Sequence, residues 1–499
     1  MTGMGSSELK RRTIRGGAAK LCGQAVNFAL RLGFMIVLVR LLSPHDFGLV
    51  AMVTVVTGIY GMFTSAGLSS ATVQKEHVTD AQISTLFWIN VSIGVVFALL
   101  CVATAPVLVS FYREPRLFWI AIALATGFLV TGAGVQHAAL LQRHLRYPVL
   151  TFIETLSQST SSALGITLAV LGYGYWSLVA AAVTSPAITT ACVWLAAKWR
   201  PGRPDWSADI RSMLLYGGTI TLNGLVVYIG YNLEKVLLGR VWGADVLGLY
   251  GRAYQLISVP TDYLNGAIGG VAFSALSRLQ GDPATFKRYF LRGYGLAISM
   301  TLPVTIFCVV FADEIILVLF GQAWAAAAPI FRLLAPTVLI FGIINPLAWL
   351  LLSIGLQGRS LRIALVIAPL VMSAYLMGLP YGPTGVAAAY SAAMMLWVVP
   401  HVLWCLKGTT ISILDVARCL LRPFLAGVAA SAAAMAVHLS AGSHLPPIAD
   451  LALGGAIMFS LYAGILLFVL GEKDVYFELV RTLLKSSAGP ATHERPVVP

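Results

Sequence analysis

No polar stretch in this sequence is long enough to form a soluble domain; the longest connection between apolar runs is about residues 198–213. Charge is scarce. Asp, Glu, Lys and Arg make up 11% of 499 residues against 58% hydrophobic, and mean hydropathy is +0.84, which excludes an ordinary soluble globular protein. Acidic residues are scarcest, 20 against 33 Lys+Arg, for a net charge of +13. In a soluble chain that excess would suggest nucleic acid. Here the cations sit between apolar runs, where membrane orientation and anionic lipid headgroups account for them, so no nucleic-acid partner is expected. Cys22, Cys101, Cys192, Cys308, Cys405 and Cys419 are scattered singly. With no CxxC and no Cys/His spacing, neither a disulfide framework nor a metal or other cofactor is expected. HExxH, GxSxG and Walker-type loops are absent, so no catalytic residue and no enzyme is expected. The run after Lys20 is longer than a signal-peptide core, so no cleaved leader is expected.

What the chain has is apolar runs of bilayer length, since about 20 apolar residues span roughly 30 Å of hydrocarbon. Fourteen candidate spans fall near 18–39, 47–68, 83–106, 117–140, 150–171, 175–197, 214–238, 247–275, 291–311, 327–351, 361–378, 384–404, 420–438 and 449–470. The fold class is therefore an all-α polytopic membrane protein. Placing the N-terminus in the cytoplasm leaves only Arg40, Arg113, Arg116 and Arg240 on the opposite side, with Arg31, Lys235, Arg252 and Arg332 inside spans. Every other Lys and Arg is then cytoplasmic, as the positive-inside bias requires, and both termini face the cytoplasm.

Val39-Arg40-Leu41-Leu42-Ser43-Pro44-His45-Asp46-Phe47-Gly48-Leu49 has an echo 200 residues later: Leu38, Arg40, Gly48 and Leu49 recur as Leu238, Arg240, Gly248 and Leu249 without a gap. The chain reads as two copies of one membrane unit entering the bilayer in the same direction. Such parallel repeats place a transported substrate at their interface. The expected organisation is a basic tail over 1–17, a first lobe over 18–200, a linker over 201–213, a second lobe over 214–404, spans thirteen and fourteen over 405–470, and a tail over 471–499.

Polar side chains inside the spans are the candidate site. At about 100° per residue, Gln24, Asn27 and Arg31 share one face of the first span. An arginine facing lipid costs on the order of 3 kcal/mol, so this face looks onto water or protein. In span seven Thr219, Asn223, Gly230 and Glu234 share a face, with Lys235 turned aside toward the outer surface. In span eight Arg252, Gln255 and Asp262 line one sector around Pro260. An Arg252–Glu234 ion pair would satisfy both charges and could act as a proton-sensitive latch, and Asp262 is a second candidate for ion coupling. Lys235 and Arg332 are outer-side basic candidates.

The run Arg40 to Leu49, the run Gly67-Leu68-Ser69-Ser70-Ala71-Thr72-Val73-Gln74-Lys75, and Leu247-Gly248-Leu249-Tyr250-Gly251-Arg252-Ala253-Tyr254-Gln255-Leu256 resemble the polysaccharide exporter (Wzx/WzxC-type) family of the multidrug/oligosaccharidyl-lipid/polysaccharide flippase superfamily. The resemblance covers nearly all of the chain. It implies two six-helix lobes forming a V, as in multidrug (MATE-type) exporters, plus two C-terminal helices. It also implies flipping of an undecaprenyl-diphosphate-linked oligosaccharide across the bacterial inner membrane for exopolysaccharide (succinoglycan-like), O-antigen or capsule synthesis. Polysaccharide polymerase and export machinery would be partners. By resemblance to the lipid II flippase branch, cationic residues in spans one and eight, here Arg31 and Arg252, would hold the diphosphate, with Gln24, Asn27, Asn223 and Gln255 facing the sugars. Span two departs from that branch, having no Lys or Arg. A multidrug/cation antiporter of the same superfamily and a membrane glycan polymerase are the competing readings. The first typically uses an acidic residue early in the first lobe, whereas span one here offers Arg31. The second needs a larger outer loop than Ala312 to Ala326.

Overall fold

The computed structural model describes residues 28–65, 69, 72–73, 75, 78–205, 211–441 and 445–471. Every element among them is helical. Helix α1 runs over residues 28–41, followed by α2 (Pro44–Ser65), α3 (Asp80–Tyr112), α4 (Leu117–Arg143), α5 (Tyr147–Val170), α6 (Tyr175–Ala197) and α7 (Arg211–Arg278). Then come α8 (Pro283–Val310), α9 (Ala312–Leu319), α10 (Ala328–Leu334), α11 (Pro336–Ser353), α12 (Gln357–Gly378), α13 (Gly382–Leu406), α14 (Ile413–Ala441) and α15 (Pro447–Gly464), which ends in a π-helical turn at Ile465–Val469. Nine stretches among the described residues are long and apolar enough to cross a membrane. Val96, Leu99, Val107, Trp119, Leu195 and Leu396 point outward, each more than half exposed, as lipid-facing side chains do.

Two differences from the sequence expectation concern connections. Spans seven and eight are one continuous run, α7, broken at a single residue: Gly243 has φ 84° and ψ −176°, outside the helical region. A glycine takes that conformation without the cost of a Cβ, so two rods join with no loop between them. The expected outer loop from Ala312 is folded as α9, a 3₁₀ turn and α10.

By packing, the described chain forms two compact units. The first comprises residues up to Ile268 with Ile315–Leu334 and Leu361–Trp397; the second comprises Gly269–Glu314, Ala335–Ser360 and Val398 onward. This division does not follow the repeat boundary. Within the first unit, α3 and α4 approach until backbones touch. A Cβ on Gly94 would lie 2.6 Å from the Phe128 carbonyl, and one on Gly132 would lie 2.7 Å from the Asn90 carbonyl. Close approach through small residues is how membrane helices gain van der Waals contact without a hydrophobic drive. Asn90 is buried there and donates to Gln136, which donates to Thr72. Arg143 holds the carbonyls of Thr72 and Lys75, and so anchors the second family-like run. In the second unit α8 packs on α11 and α14, and α14 on α15. Gly342 sits on Thr301 and Gly427 on Leu302.

Candidate functional site

The Ser43-Pro44-His45-Asp46 sequence is a helix start. Asp46 Oδ2 accepts from the Ser43 amide at 3.0 Å and from the Ser43 hydroxyl at 2.6 Å, while Ser43 Oγ accepts from the Asp46 amide at 3.3 Å. This reciprocal cap satisfies amides that a helix N-terminus leaves open, and Pro44 occupies the first position, where no amide is needed. Ser412 and Asp415 repeat the same device at the start of α14.

Capped in this way, α2 crosses the second rod of α7 at the shortest possible range. A Cβ on Gly48 would fall 1.8 Å from the Ala244 carbonyl oxygen, and one on Gly248 would fall 1.9 Å from the Pro44 carbonyl oxygen. The pairs are reciprocal at the 200-residue offset seen in the sequence, 44 with 244 and 48 with 248. The crossing point is thus a pseudo-two-fold contact between the two copies. His45 and its counterpart Asp245 meet across it, Nδ1 to Oδ2 at 3.1 Å, and Arg116 Nη1 lies 3.2 Å from His45 Nε2.

Below the crossing, the guanidinium of Arg252 lies over the Phe47 ring, 4.4 Å from its centroid. Phe47 is buried and stands edge-on to Trp324, whose indole donates to the Val39 carbonyl at 2.8 Å. Arg40 donates to the carbonyls of Val318 and Leu319. The segment 315–334 is therefore clamped to the end of α1 and backs Phe47, which positions Arg252. Arg252 Nε is buried without an acceptor, and so is Gln255 Oε1 without a donor. The charge of Arg31, an exposed side chain on α1, acts on both Arg252 and Asp262. Arg252, Gln255 and Asp262 share the second rod of α7. Asp262 is exposed. Gln24, Asn27 and the side chain of Asn223 lie outside the described residues.

Glu234 is elsewhere than the sequence suggested. It is 1% exposed, its Oε2 has no partner, and it forms no ion pair with Arg252 among the described residues. The expected Arg252–Glu234 latch is absent because Arg252 is drawn to the Phe47 face instead. Lys235 turns away to Asn232 Oδ1 at 2.6 Å. Around the Glu234 carboxylate are Tyr228, Tyr250 and Tyr375, with Tyr375 stacked on Tyr390 at 5.4 Å. Arg332 is exposed on α10.

One polar cluster had no signal in the sequence. Glu314, His438 and Asp450 converge in the second unit, with one ligand atom of each within 4.8 Å of the others. His438 Nδ1 is 2.7 Å from Asp450 Oδ2, and its Nε2 is 4.0 Å from Glu314 Oε1. The Asp450 bond occupies one ring nitrogen and one carboxylate oxygen. What is left is His438 Nε2, the Glu314 carboxylate and the second oxygen of Asp450. Only the assembled helices reveal it, because Glu314 lies more than a hundred residues before His438 and Asp450 and the three stand on separate helices.

Comparison with known proteins places this geometry. The chain is 25% identical to lipopolysaccharide biosynthesis protein WzxC of Escherichia coli K12 over 351 residues, 69% of this chain and 70% of that one. It is 28% identical to teichuronic acid biosynthesis protein TuaB of Bacillus subtilis 168, covering 58% of this chain and 60% of that one. With succinoglycan biosynthesis transport protein ExoT of Rhizobium meliloti 1021 the identity is 24%, over 64% of each chain. Its fold is shared with lipid II flippase MurJ in an inward closed conformation, with a TM-score of 0.72 and 13% identity over 92% of this chain and 99% of that one. An inward-facing MATE multidrug transporter of the MOP superfamily gives a TM-score of 0.60 at 16% identity, over 81% and 98%. The family described as polysaccharide biosynthesis protein matches residues 37–329, more than half the chain and including both copies of the crossing, and the chain belongs to that family.

Proposed function

We propose that this protein flips an undecaprenyl-diphosphate-linked oligosaccharide repeat unit across the bacterial inner membrane by alternating access, supplying exopolysaccharide, O-antigen or capsule assembly. The observation that carries this reading is a buried arginine in a membrane span: Arg252 Nε has no acceptor among the described residues, and the charge of Arg31 acts on Arg252. A diphosphate would offer bidentate acceptors to both guanidiniums. A charged, sugar-bearing headgroup cannot cross hydrocarbon unaided, because its phosphates and hydroxyls would lose hydration. Gln255, with Gln24, Asn27 and Asn223, would replace water on the sugars. The prenyl chain remains in lipid. The 18–200 and 214–404 repeats would rock about this site as two lobes of a V, with both termini in the cytoplasm and a polymerase and export machinery receiving the product.

Glu234 and Asp262 are the groups proposed to couple the cycle to a proton or sodium gradient. A buried carboxylate with an unpartnered oxygen is stable only when protonated or beside a cation. A cation antiporter is the second reading, favoured by the same buried Glu234 among tyrosines and by the shared MATE fold. The test is reconstitution in liposomes with a lipid-linked oligosaccharide in one arm and a lipophilic cation in the other. The proposal expects glycolipid translocation, lost in Arg31→Ala and Arg252→Ala, with no cation transport. Cation transport alone would overturn it. Translocation unaffected by collapsing both gradients would remove the coupling role of Glu234 and Asp262.

A further inference from the structure

The second unit assembles one histidine and two carboxylates that the flipping cycle does not use. Glu314 stands in the first turn of α9, His438 in the last turn of α14 and Asp450 in the first turn of α15. Asp450 is buried, while His438 and Glu314 keep an opening to solvent. Among the described residues no Lys or Arg pairs with any of the three. Two carboxylates and a neutral imidazole gathered in one partly buried place carry uncompensated negative charge, which a cation relieves.

An ionised carboxylate only accepts hydrogen bonds. The 2.7 Å contact to Asp450 Oδ2 therefore places the hydrogen of a neutral ring on His438 Nδ1 and leaves the lone pair on Nε2. That lone pair is 4.0 Å from Glu314 Oε1, too far for a hydrogen bond. Zinc bonds of about 2.1 Å to nitrogen and oxygen set two ligand atoms about 3.4 Å apart in a tetrahedral shell. A side-chain movement of about 0.6 Å by Glu314 reaches that separation. The ring itself is fixed on two sides. Asp450 holds one edge, and the fully buried Phe311 meets it edge-on with centroids 5.4 Å apart. Gly454, one turn beyond Asp450, lets Phe311 lie against α15 where a Cβ would collide with its ring. A carboxylate behind a histidine, with an apolar wall beside it, is the outer shell that orients metal-bound imidazoles.

We propose that this cluster binds a divalent transition-metal ion of the Zn²⁺ type, with His438 Nε2 and the Glu314 carboxylate as ligands, Asp450 as the positioning residue and solvent completing the shell. An imidazole beside a carboxylate suits zinc better than magnesium or calcium, which take shells of oxygen. With solvent in the shell the ion is exchangeable, and it ties the packed α14 and α15 to the chain that follows α8. The cluster belongs to the second unit and Arg252 to the first, so the assignment does not rest on the glycan reading.

The purified full chain in detergent, carrying no histidine tag and stripped with a chelator, is titrated with Zn²⁺ against a chromophoric competitor. One bound equivalent in the micromolar range is expected, undisturbed by about a hundredfold excess of Mg²⁺. Glu314→Gln breaks no hydrogen bond among the described residues, so this variant keeps the fold. It should weaken Zn²⁺ by at least about tenfold, as should His438→Gln. Zn²⁺ should raise the thermal midpoint of the parent protein and leave that of Glu314→Gln in place, because an ion that binds only the folded state stabilises it. Asp450→Asn keeps both ligands and should weaken Zn²⁺ by about tenfold. Co²⁺ bound in place of Zn²⁺ should show a visible absorption band that shifts in Asp450→Asn, as the ring loses basicity, and disappears in Glu314→Gln. His45→Gln, which removes the histidine paired with Asp245, should change none of these results. Absence of bound Zn²⁺ would overturn the proposal. So would equal competition by Mg²⁺, or an equivalent that survives both Glu314→Gln and His438→Gln and is lost in His45→Gln.

Discussion

The two copies of the crossing helix agree in backbone and disagree in charge. At Gly48 and Gly248 the same close approach is made in both directions. Along the helices that leave the crossing, the first copy presents Met52, Val55 and Met62 where the second presents Arg252, Gln255 and Asp262. Met52 and Val55 are buried as ordinary core, whereas Arg252 and Gln255 hold buried polar atoms without partners. On the helices that enter it, Arg31 corresponds in sequence to Tyr231 and Phe34 to Glu234. The repeat therefore preserves a hinge-like contact and has let the chemistry diverge around it. A contact between backbones tolerates no added atom, so it is fixed in both copies; a site for an asymmetric ligand needs only one set of donors.

That contrast is broken first by the charges. Arg252→Ala should reduce glycolipid transport by roughly 10- to 150-fold, from the loss of a charged hydrogen bond of about 1.5–3 kcal/mol. Met52→Leu at the equivalent position should leave it within about twofold, because the swap conserves volume. Lipid-linked glycan accumulating in a complemented deletion strain measures both. Equal losses would show that position, and not charge, matters.

The symmetry itself is tested by Gly48→Ala and Gly248→Ala. Each places a methyl within 2 Å of a carbonyl oxygen, and each should destabilise the purified protein by a similar amount, about 1–3 kcal/mol. Thermal unfolding of the two variants should coincide; a large difference would mean that only one side of the crossing is tight. A smaller effect sharpens the remaining difference. Asp46→Ala removes the cap on α2 and should cost about 1 kcal/mol locally. It should appear as faster hydrogen exchange near residues 44–48. Val246→Ala, in the copy whose chain turns at Gly243 without a cap, should not show it.

Much of this architecture is legible in the sequence, and the reasons separate what is from what is not. Apolar runs and the distribution of Lys and Arg report on the solvent each residue meets, so the helices emerge from composition alone. The Gly48/Gly248 repeat is visible because a close crossing restricts residue type at fixed spacing. Arg31, Arg252 and Asp262 could be singled out because a charge in a span needs a reason. The partner of Arg252 was not legible: an ion pair with Glu234 is the simplest expectation from depth, yet a phenyl face from another helix, backed by Trp324, takes the guanidinium. Segment 312–326 reads as a loop because its contacts, such as Trp324 to Val39, span 285 residues and leave no local period.

The central claim, one anion held jointly by Arg31 and Arg252, is tested most directly by the binding of undecaprenyl diphosphate to the purified protein and to Arg31→Ala, Arg252→Ala and the double variant. The account predicts a loss of about tenfold or more for each single change, and a double loss smaller than their product because the two groups share one ligand. Undiminished binding in the double variant would contradict it.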